Sequence, residues 1–430
     1  MTRQEPQHEK CIIAAVFDPQ KSDPEIQGIL EEMKLLTESA GGNVIETFSQ
    51  KKHPPDSRYL IGSGKIEEIK NFAREAEAQS IVFYNPLSNT QQRNLEQYFE
   101  IKVIDRTRLI LDVFATRARS LEGKLQVELA QLLYLLPRLT GKGISLSRLG
   151  GGIGTRGPGE TKLEADRRTI KKRISIIRKK LDKIIESRDM RRKHRKSNPV
   201  PVVSLVGYTS AGKSTLFRAL TGEEVPISSM LFSTLDPVMR RVEIQEIRED
   251  YAFLISDTVG FIREMPEELF QSFKATLEEV INSDLILHVI DISNPDYLNR
   301  KEDVENVLEE MNITPERILH IYNKADLLPD YEAIMARQDD PEFADESRVY
   351  ISAIENRGVT QLKKAIYKKY FKDFRPYTLA IPPKEVNLDS IKKWAIVVKQ
   401  YYLDGRLNID ILSSKENMLK FKEKHGGYVK

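Results

Sequence analysis

Residues 207–214 read G-Y-T-S-A-G-K-S, two glycines five positions apart with a lysine and a hydroxyl directly after the second. An apolar, strand-like run at 202–206 precedes them and helix formers follow. Strand, G-x-x-x-x-G-K-S, helix is the context that identifies a phosphate-binding loop. Gly207 and Gly212 let the backbone curl, so that successive N–H groups along Tyr208, Thr209, Ser210 and Ala211 face phosphate oxygens. Lys213 supplies charge to the β- and γ-phosphates, the Ser214 hydroxyl is a Mg²⁺ ligand, and Thr215 continues the cradle into the helix.

Three more motifs follow in a fixed order. L-F-S-T-L-D-P (231–237) puts Thr234 in a loop at the distance of a first switch, as a second Mg²⁺ ligand. D-T-V-G-F (257–261) ends a strand with Asp257, set to hold Mg²⁺ through water. Gly260, after Thr258 and Val259, offers a backbone N–H to the γ-phosphate. N-K-A-D (323–326) places Asn323, Lys324 and Asp326 after another strand. The Asp326 carboxylate can accept from both N1–H and the N2 amine of guanine. Adenine has no donor there, so a site of this kind can reject the wrong base by about 10⁴–10⁵. Ser352 and Ala353, in V-Y-I-S-A, follow the next strand, where the backbone can meet guanine O6. The expected ligands are therefore GTP or GDP with Mg²⁺, with Lys213, Thr234 and Gly260 nearest the chemistry.

Elements must hold these loops. At 430 residues the chain exceeds one core, and 40% hydrophobic with 30% charged residues reads as globular. Neither a membrane-length apolar run nor a signal-peptide core is visible, and Cys11 is the only cysteine. A cytoplasmic protein is expected. The expected fold is α/β throughout its larger domains. A parallel α/β domain spans 1–105 and an antiparallel helical hairpin 106–198. A P-loop nucleotide domain spans 199–375, and a small α+β domain with a D-G hairpin turn at 404–405 spans 376–430. The helical pattern is continuous from 106 to 136 and stops at Pro137; a second long helix runs from 160 to about 194. Y-L-I-G-S-G-K-I (59–66) imitates a phosphate loop but has Tyr59 for the first glycine and Ile66 for the hydroxyl. It reads as a tight turn opening a helix.

Charge is uneven. Residues 141–196 hold 19 Lys plus Arg against 6 Asp plus Glu, an excess of 13 in a chain whose net charge is +3. Loop 141–159 has eight glycines and the cations Lys142, Arg148 and Arg156, with no acidic residue. A glycine-rich basic loop can follow a phosphate backbone, so these three residues are candidate RNA contacts.

With G-Y-T-S-A-G-K-S-T-L-F, L-F-S-T-L-D-P, D-T-V-G-F-I-R, N-K-A-D-L-L and S-R-L-G-G-G-I-G-T-R-G-P-G-E-T-K in view, the chain resembles the HflX family of ribosome-associated GTPases over almost its whole length. The resemblance implies a GTPase that docks on the large ribosomal subunit and its rRNA. It also implies that the GTP-bound form separates stalled or idle ribosomes under stress, and that GTP hydrolysis follows. A monomer is expected. One departure is Ser210, where many members carry an Asn that helps to coordinate potassium in related GTPases. Potassium stimulation is therefore in question. Two rival readings are weaker. The GTPase of an RNA-modifying enzyme would need a reactive cysteine, and Cys11 falls in an expected buried strand. An ATP-driven RNA remodeller would need the defective loop at 59–66.

Overall fold

The computed structural model describes residues 9–139, 162–195, 200–222, 232, 238–244, 252–258, 260–263, 266, 269, 277–339, 348–371, 374–383, 387–392, 394–425 and 428. They fall into two compact units, divided between Asp182 and Lys183 except that Phe232, Pro266 and Leu269 belong to the first.

The first unit opens with β1 (Glu9–Phe17), α1 (Asp23–Ser39), β2 (Gly42–Lys51), α2 (Ser63–Glu75), β3 (Ser80–Phe83), α3 (Asn89–Phe99) and β4 (Lys102–Asp105). The four strands form one sheet in the order β2-β1-β3-β4, every pair parallel. Alternation of strands with helices dictates this, because a parallel neighbour requires a crossover. β1 from Cys11 onward and β3 from Ile81 onward are apolar because helices cover the sheet, and Ile12, Ile13, Ala14, Ile81 and Phe83 are fully buried. Cys11 lies buried in β1, its thiol pushed up by burial. That suits a packing residue, not a nucleophile.

The expected continuous helix from 106 is two helices, α4 (Arg106–Arg117) and α5 (Leu121–Arg138). Ala118 turns to extended backbone, and the Ser120 hydroxyl caps α5 by accepting from the Gly123 N–H at 2.8 Å. Apolar periodicity runs across this break, which is why spacing alone concealed it. Pro137 sits inside the last turn of α5 instead of just beyond it. There the amide it lacks costs only one terminal hydrogen bond.

Helix α6 (Lys162–Arg195) returns, and Arg173 forks onto Glu128 of α5 at 2.6 and 2.8 Å. Leu125 and Leu129 of α5 are buried, as are Ile174, Ile177 and Leu181 of α6. The two apolar stripes expected of a paired hairpin are thus covered, although Leu121, at the start of the first, is exposed. The loop carrying Lys142, Arg148 and Arg156 lies outside the described residues.

In the second unit, six strands pair in the order β10-β9-β8-β5-β7-β6: β5 (Val202–Gly207), β6 (Val238–Glu243), β7 (Ala252–Asp257), β8 (Leu285–Asp291), β9 (Ile318–Asn323) and β10 (Arg348–Tyr350). Only the edge strand β6 is antiparallel, and the sequence gives it no clear alternation. The helices are α7 (Lys213–Thr221), α8 (Tyr297–Glu310), α9 (Tyr331–Asp339) and α10 (Val359–Phe371). Leu205, Leu287, Val289, Leu319 and Ile321 line one face of the sheet, packed with Leu216, Phe217, Leu362 and Ile366. Each such side chain taken fully from water contributes about 1.5–3 kcal/mol.

The chain ends in an antiparallel sheet, β11-β13-β12, made of β11 (Phe374–Ile381), β12 (Ile396–Leu403) and β13 (Arg406–Ser414), with α11 (Leu388–Ile391) and α12 (Lys415–His425). Asp404 and Gly405 form the expected two-residue turn, both at positive φ (52° and 72°). Strand β11 was not legible from the sequence.

Candidate nucleotide site

Every described motif residue lies at the C-terminal end of a strand of the six-stranded sheet, the edge where open α/β sheets take their ligands. β5 ends in the phosphate loop. Gly207 has no room for a side chain, since a Cβ there would come within 2.3 Å of the Val289 carbonyl oxygen. Gly212 is at φ +92°, and a Cβ would meet the Asn323 amide nitrogen at 2.2 Å. Ser210, between them, holds positive φ (62°) without being glycine.

Lys213 is buried, donating to the carbonyls of Gly207 (3.0 Å) and Tyr208 (2.8 Å). Burial pushes its ammonium down to about 8, against the opposing pull of Asp257. An anionic phosphate would reverse that penalty, because opposite charge favours the protonated form. A Cβ on Gly260 would sit 2.9 Å from Thr209 Cγ2 and 3.0 Å from Lys213 Nζ. The D-x-x-G glycine therefore stands directly beside the phosphate-loop lysine. Thr234 and Val259 lie outside the described residues.

Ser214 Oγ donates to Asp257 Oδ2 at 3.0 Å, bringing two of the expected metal ligands together. A hydroxyl and a carboxylate are hard oxygen donors, and with phosphate oxygens they fit Mg²⁺. Thr258, one residue on, donates to the Leu205 carbonyl at 2.5 Å and pins the strand end.

Asn323 binds two loops together. Its amide donates to the Ala211 carbonyl at 2.8 Å, and its oxygen accepts from the Ala353 N–H at 3.1 Å. The Ala353 N–H, expected to meet guanine O6, is thus held by Asn323, and the Ser352 N–H by the Arg357 carbonyl at 3.0 Å. Lys324, at positive φ, pairs with Asp291 at the end of β8, 2.7 Å away. Asp326 Oδ1 is buried with no hydrogen-bond partner among the described residues. A buried, unpartnered carboxylate oxygen costs free energy until a donor reaches it, and guanine supplies such donors at N1 and N2.

Sequence reasoning missed the braces of this site. Phe261 is buried, and its backbone accepts from the Thr209 N–H (2.7 Å) and donates to the Gly207 carbonyl (3.0 Å). The Tyr208 hydroxyl accepts from the Arg263 N–H at 2.8 Å, and the Arg300 guanidinium stands 4.8 Å from the Tyr208 ring centre. Backbone pairing of this kind has no residue-type signature, although an aromatic inside the phosphate loop was a visible oddity. Away from this edge, Lys65 is engaged with Glu68 at 2.7 Å, and Gly62 caps helix α2. The false motif is a helix start, as expected.

Three family models match in succession: "GTP-binding GTPase N-terminal" over residues 27–115, "GTP-binding GTPase Middle Region" over 117–195 and "50S ribosome-binding GTPase" over 202–324. GTPase HflX from Caldanaerobacter subterraneus subsp. tengcongensis is 45% identical over 374 residues, 87% of this chain and 83% of its own. The chain belongs to the HflX family of GTPases. GTPase HflX from Escherichia coli K12 is 41% identical over 382 residues, 89% of this chain and 88% of its own. A solved GTP-binding protein from Sulfolobus solfataricus in complex with GDP aligns at TM-score 0.43 and 23% identity, over 84% of this chain and 99% of that one. As a member of the HflX family the chain is a GTP-hydrolysing enzyme whose cofactor is a guanine nucleotide. Among the described residues no helix is long and apolar enough to cross a membrane.

Proposed function

We propose that this GTPase is a ribosome factor of the cytoplasm, acting as a monomer on the large subunit. In the GTP state it splits or rescues stalled or idle ribosomes under stress. Hydrolysis to GDP and phosphate ends that state. The observation that carries the reading is the face of α6, where Arg167, Lys171, Lys172, Arg178, Lys179 and Lys180 are all exposed, in a chain whose nucleotide domain matches a ribosome-binding family. Cations of one sign along a helix suit a polyanion better than they suit each other. The glycine-rich sequence between α5 and α6 adds Lys142, Arg148 and Arg156 to this charge, as further candidate contacts to rRNA.

In the chemistry, Lys213 and the phosphate-loop amides take the phosphate charge, except the Thr209 N–H, which the Phe261 carbonyl holds, and the Ala211 N–H, which turns back to the Tyr208 carbonyl; Gly260 reports the γ-phosphate through its N–H. Ser214, Thr234 and Asp257 hold Mg²⁺, which supplies charge neutralisation to the phosphates. Asn323, Lys324 and Asp326 choose the base, with the backbone of Ser352 and Ala353 on the side of guanine O6. The side chain directly after Gly260 cannot orient the attacking water. Phe261 stands where many GTPases carry glutamine, and it is buried and apolar. The water-positioning group must therefore come from elsewhere in the chain or from the ribosome.

Co-sedimentation with purified large subunits tests the proposal. Protein should pellet with subunits in a non-hydrolysable GTP analogue and remain in solution with GDP. Equal pelleting with both nucleotides, or none with either, would overturn it.

A further inference from the structure

On the opposite face of the six-stranded sheet from the apolar cluster of Leu287, Val289, Leu319 and Ile321, two histidines stand side by side. β8 and β9 are parallel neighbours in the register His288↔His320, so both rings leave the sheet on the same side. Helix α8 lies over them, burying Val304 and Leu308 and bringing Glu305 down between. His320 Nε2 is 2.7 Å from Glu305 Oε1, and the two ring centres are 5.6 Å apart. One donor atom from each of the three residues lies within 4.8 Å of the others, the one such group among the described residues.

His288 is the anomaly. It interrupts an otherwise apolar strand, is only 1% exposed, and its Nδ1 is buried without a hydrogen-bond partner among the described residues. Buried polar atoms are ordinarily partnered, and an orphan calls for an explanation.

We infer that His288, His320 and Glu305 form a binding site for a divalent transition-metal ion of the Zn²⁺ class, separate from the Mg²⁺ position at the phosphates. Imidazole and carboxylate together select Zn²⁺, Co²⁺ and their neighbours, whereas Mg²⁺ demands oxygen ligands. Three protein ligands with a water in the fourth position is the open form of a zinc site. With bonds of about 2.0–2.1 Å, tetrahedral donor atoms lie roughly 3.3 Å apart. The histidine–glutamate contact must therefore open slightly and His288 draw closer, both within reach of side-chain rotation. The side chains of His320 and Glu305 are 23% and 31% exposed, which gives the ion and its water a way in. Lys301 donates to Glu305 Oε2 at 2.6 Å, leaving Oε1 as the ligand while its positive charge weakens the site.

The test is titration of the full-length protein with Co²⁺, with Mg²⁺ and GDP in excess so that the phosphate site is filled. Wild type should bind one Co²⁺ per chain with the intense visible bands of a four-coordinate ion, and one equivalent of Zn²⁺ should abolish them. His320→Ala and Glu305→Gln, both at partly exposed positions, should each lose at least about tenfold in Co²⁺ affinity. Their GDP affinity should be unchanged, which shows that they fold. Lys301→Met should tighten Co²⁺ binding. Failure of wild type to give four-coordinate bands at one equivalent overturns the inference. So does unaltered Co²⁺ affinity in His320→Ala.

Discussion

Base choice is proposed to turn on Asp326. Its Oδ1 is buried without a partner among the described residues, and its position is fixed by the turn that Lys324 opens at positive φ. Asp326→Asn should weaken GTP binding by about 1.5–3 kcal/mol, roughly 10- to 150-fold, and move preference towards xanthine nucleotides, to whose extra carbonyl an amide can donate. Competition binding of GTP against XTP reads this directly, and an unchanged preference for GTP removes Asp326 from the role. Phe261 sets a second expectation at the same scale. With an apolar, buried side chain after Gly260, single-turnover hydrolysis by the free protein should be slow, and large subunits should accelerate it. Equal rates with and without subunits contradict this. Motif residues were legible because their chemistry dictates both type and spacing. Phe261 and Tyr208 were not legible as braces, since they act through backbone pairing and one hydroxyl, which leave no spacing to read.

At the scale of elements, Asp105 does the most joining. It ends β4, is 1% exposed, and caps α4 by accepting from the Arg108 N–H at 2.9 Å. It also accepts from the Tyr134 hydroxyl and from Arg138 on α5, each at 2.9 Å. Sheet, short helix and hairpin helix are thereby tied at one carboxylate. Asp105→Ala leaves the Tyr134 phenol without its acceptor and the Arg138 guanidinium without its counter-charge, with the Tyr134 and Leu87 carbonyls remaining to it, and should cost the first unit about 3–5 kcal/mol of stability in denaturant unfolding. Nucleotide affinity should not change, because no residue of the nucleotide site depends on this cluster. A loss below about 1 kcal/mol would show the network to be dispensable. Most elements were visible as alternating apolar periods, and the parallel sheets followed from strands separated by helices. The break at Ala118 and the edge strand β6 were not. A cap replaces a helix end without disturbing the apolar stripe, and β6 (V-M-R-R-V-E) has no alternation to detect.

For the whole molecule, charge asymmetry is the feature that separates this chain from a bare nucleotide switch. An excess of 13 positive charges over residues 141–196 leaves the remainder at −10, since the net charge is +3. If the loop cations contact rRNA, each neutralised phosphate releases counterions and affinity falls with salt at about −0.7 to −0.9 per contact. Arg148→Ala with Arg156→Ala should weaken ribosome binding and flatten the salt slope by at most roughly two units, with GDP affinity intact. Superimposable slopes with unchanged affinity would make the loop a linker.

In the proposed function GTP, through this site, drives the protein to take ribosomes apart. Light scattering of purified intact ribosomes, mixed with the protein and one nucleotide at a time, measures that most directly. Scattering should fall to the level of separated subunits with GTP or its non-hydrolysable analogue and hold steady with GDP, while Asp326→Asn should need roughly 10- to 150-fold more GTP for the same fall. A fall that is equal with GDP, or no fall with the GTP analogue at saturating protein, contradicts the claim.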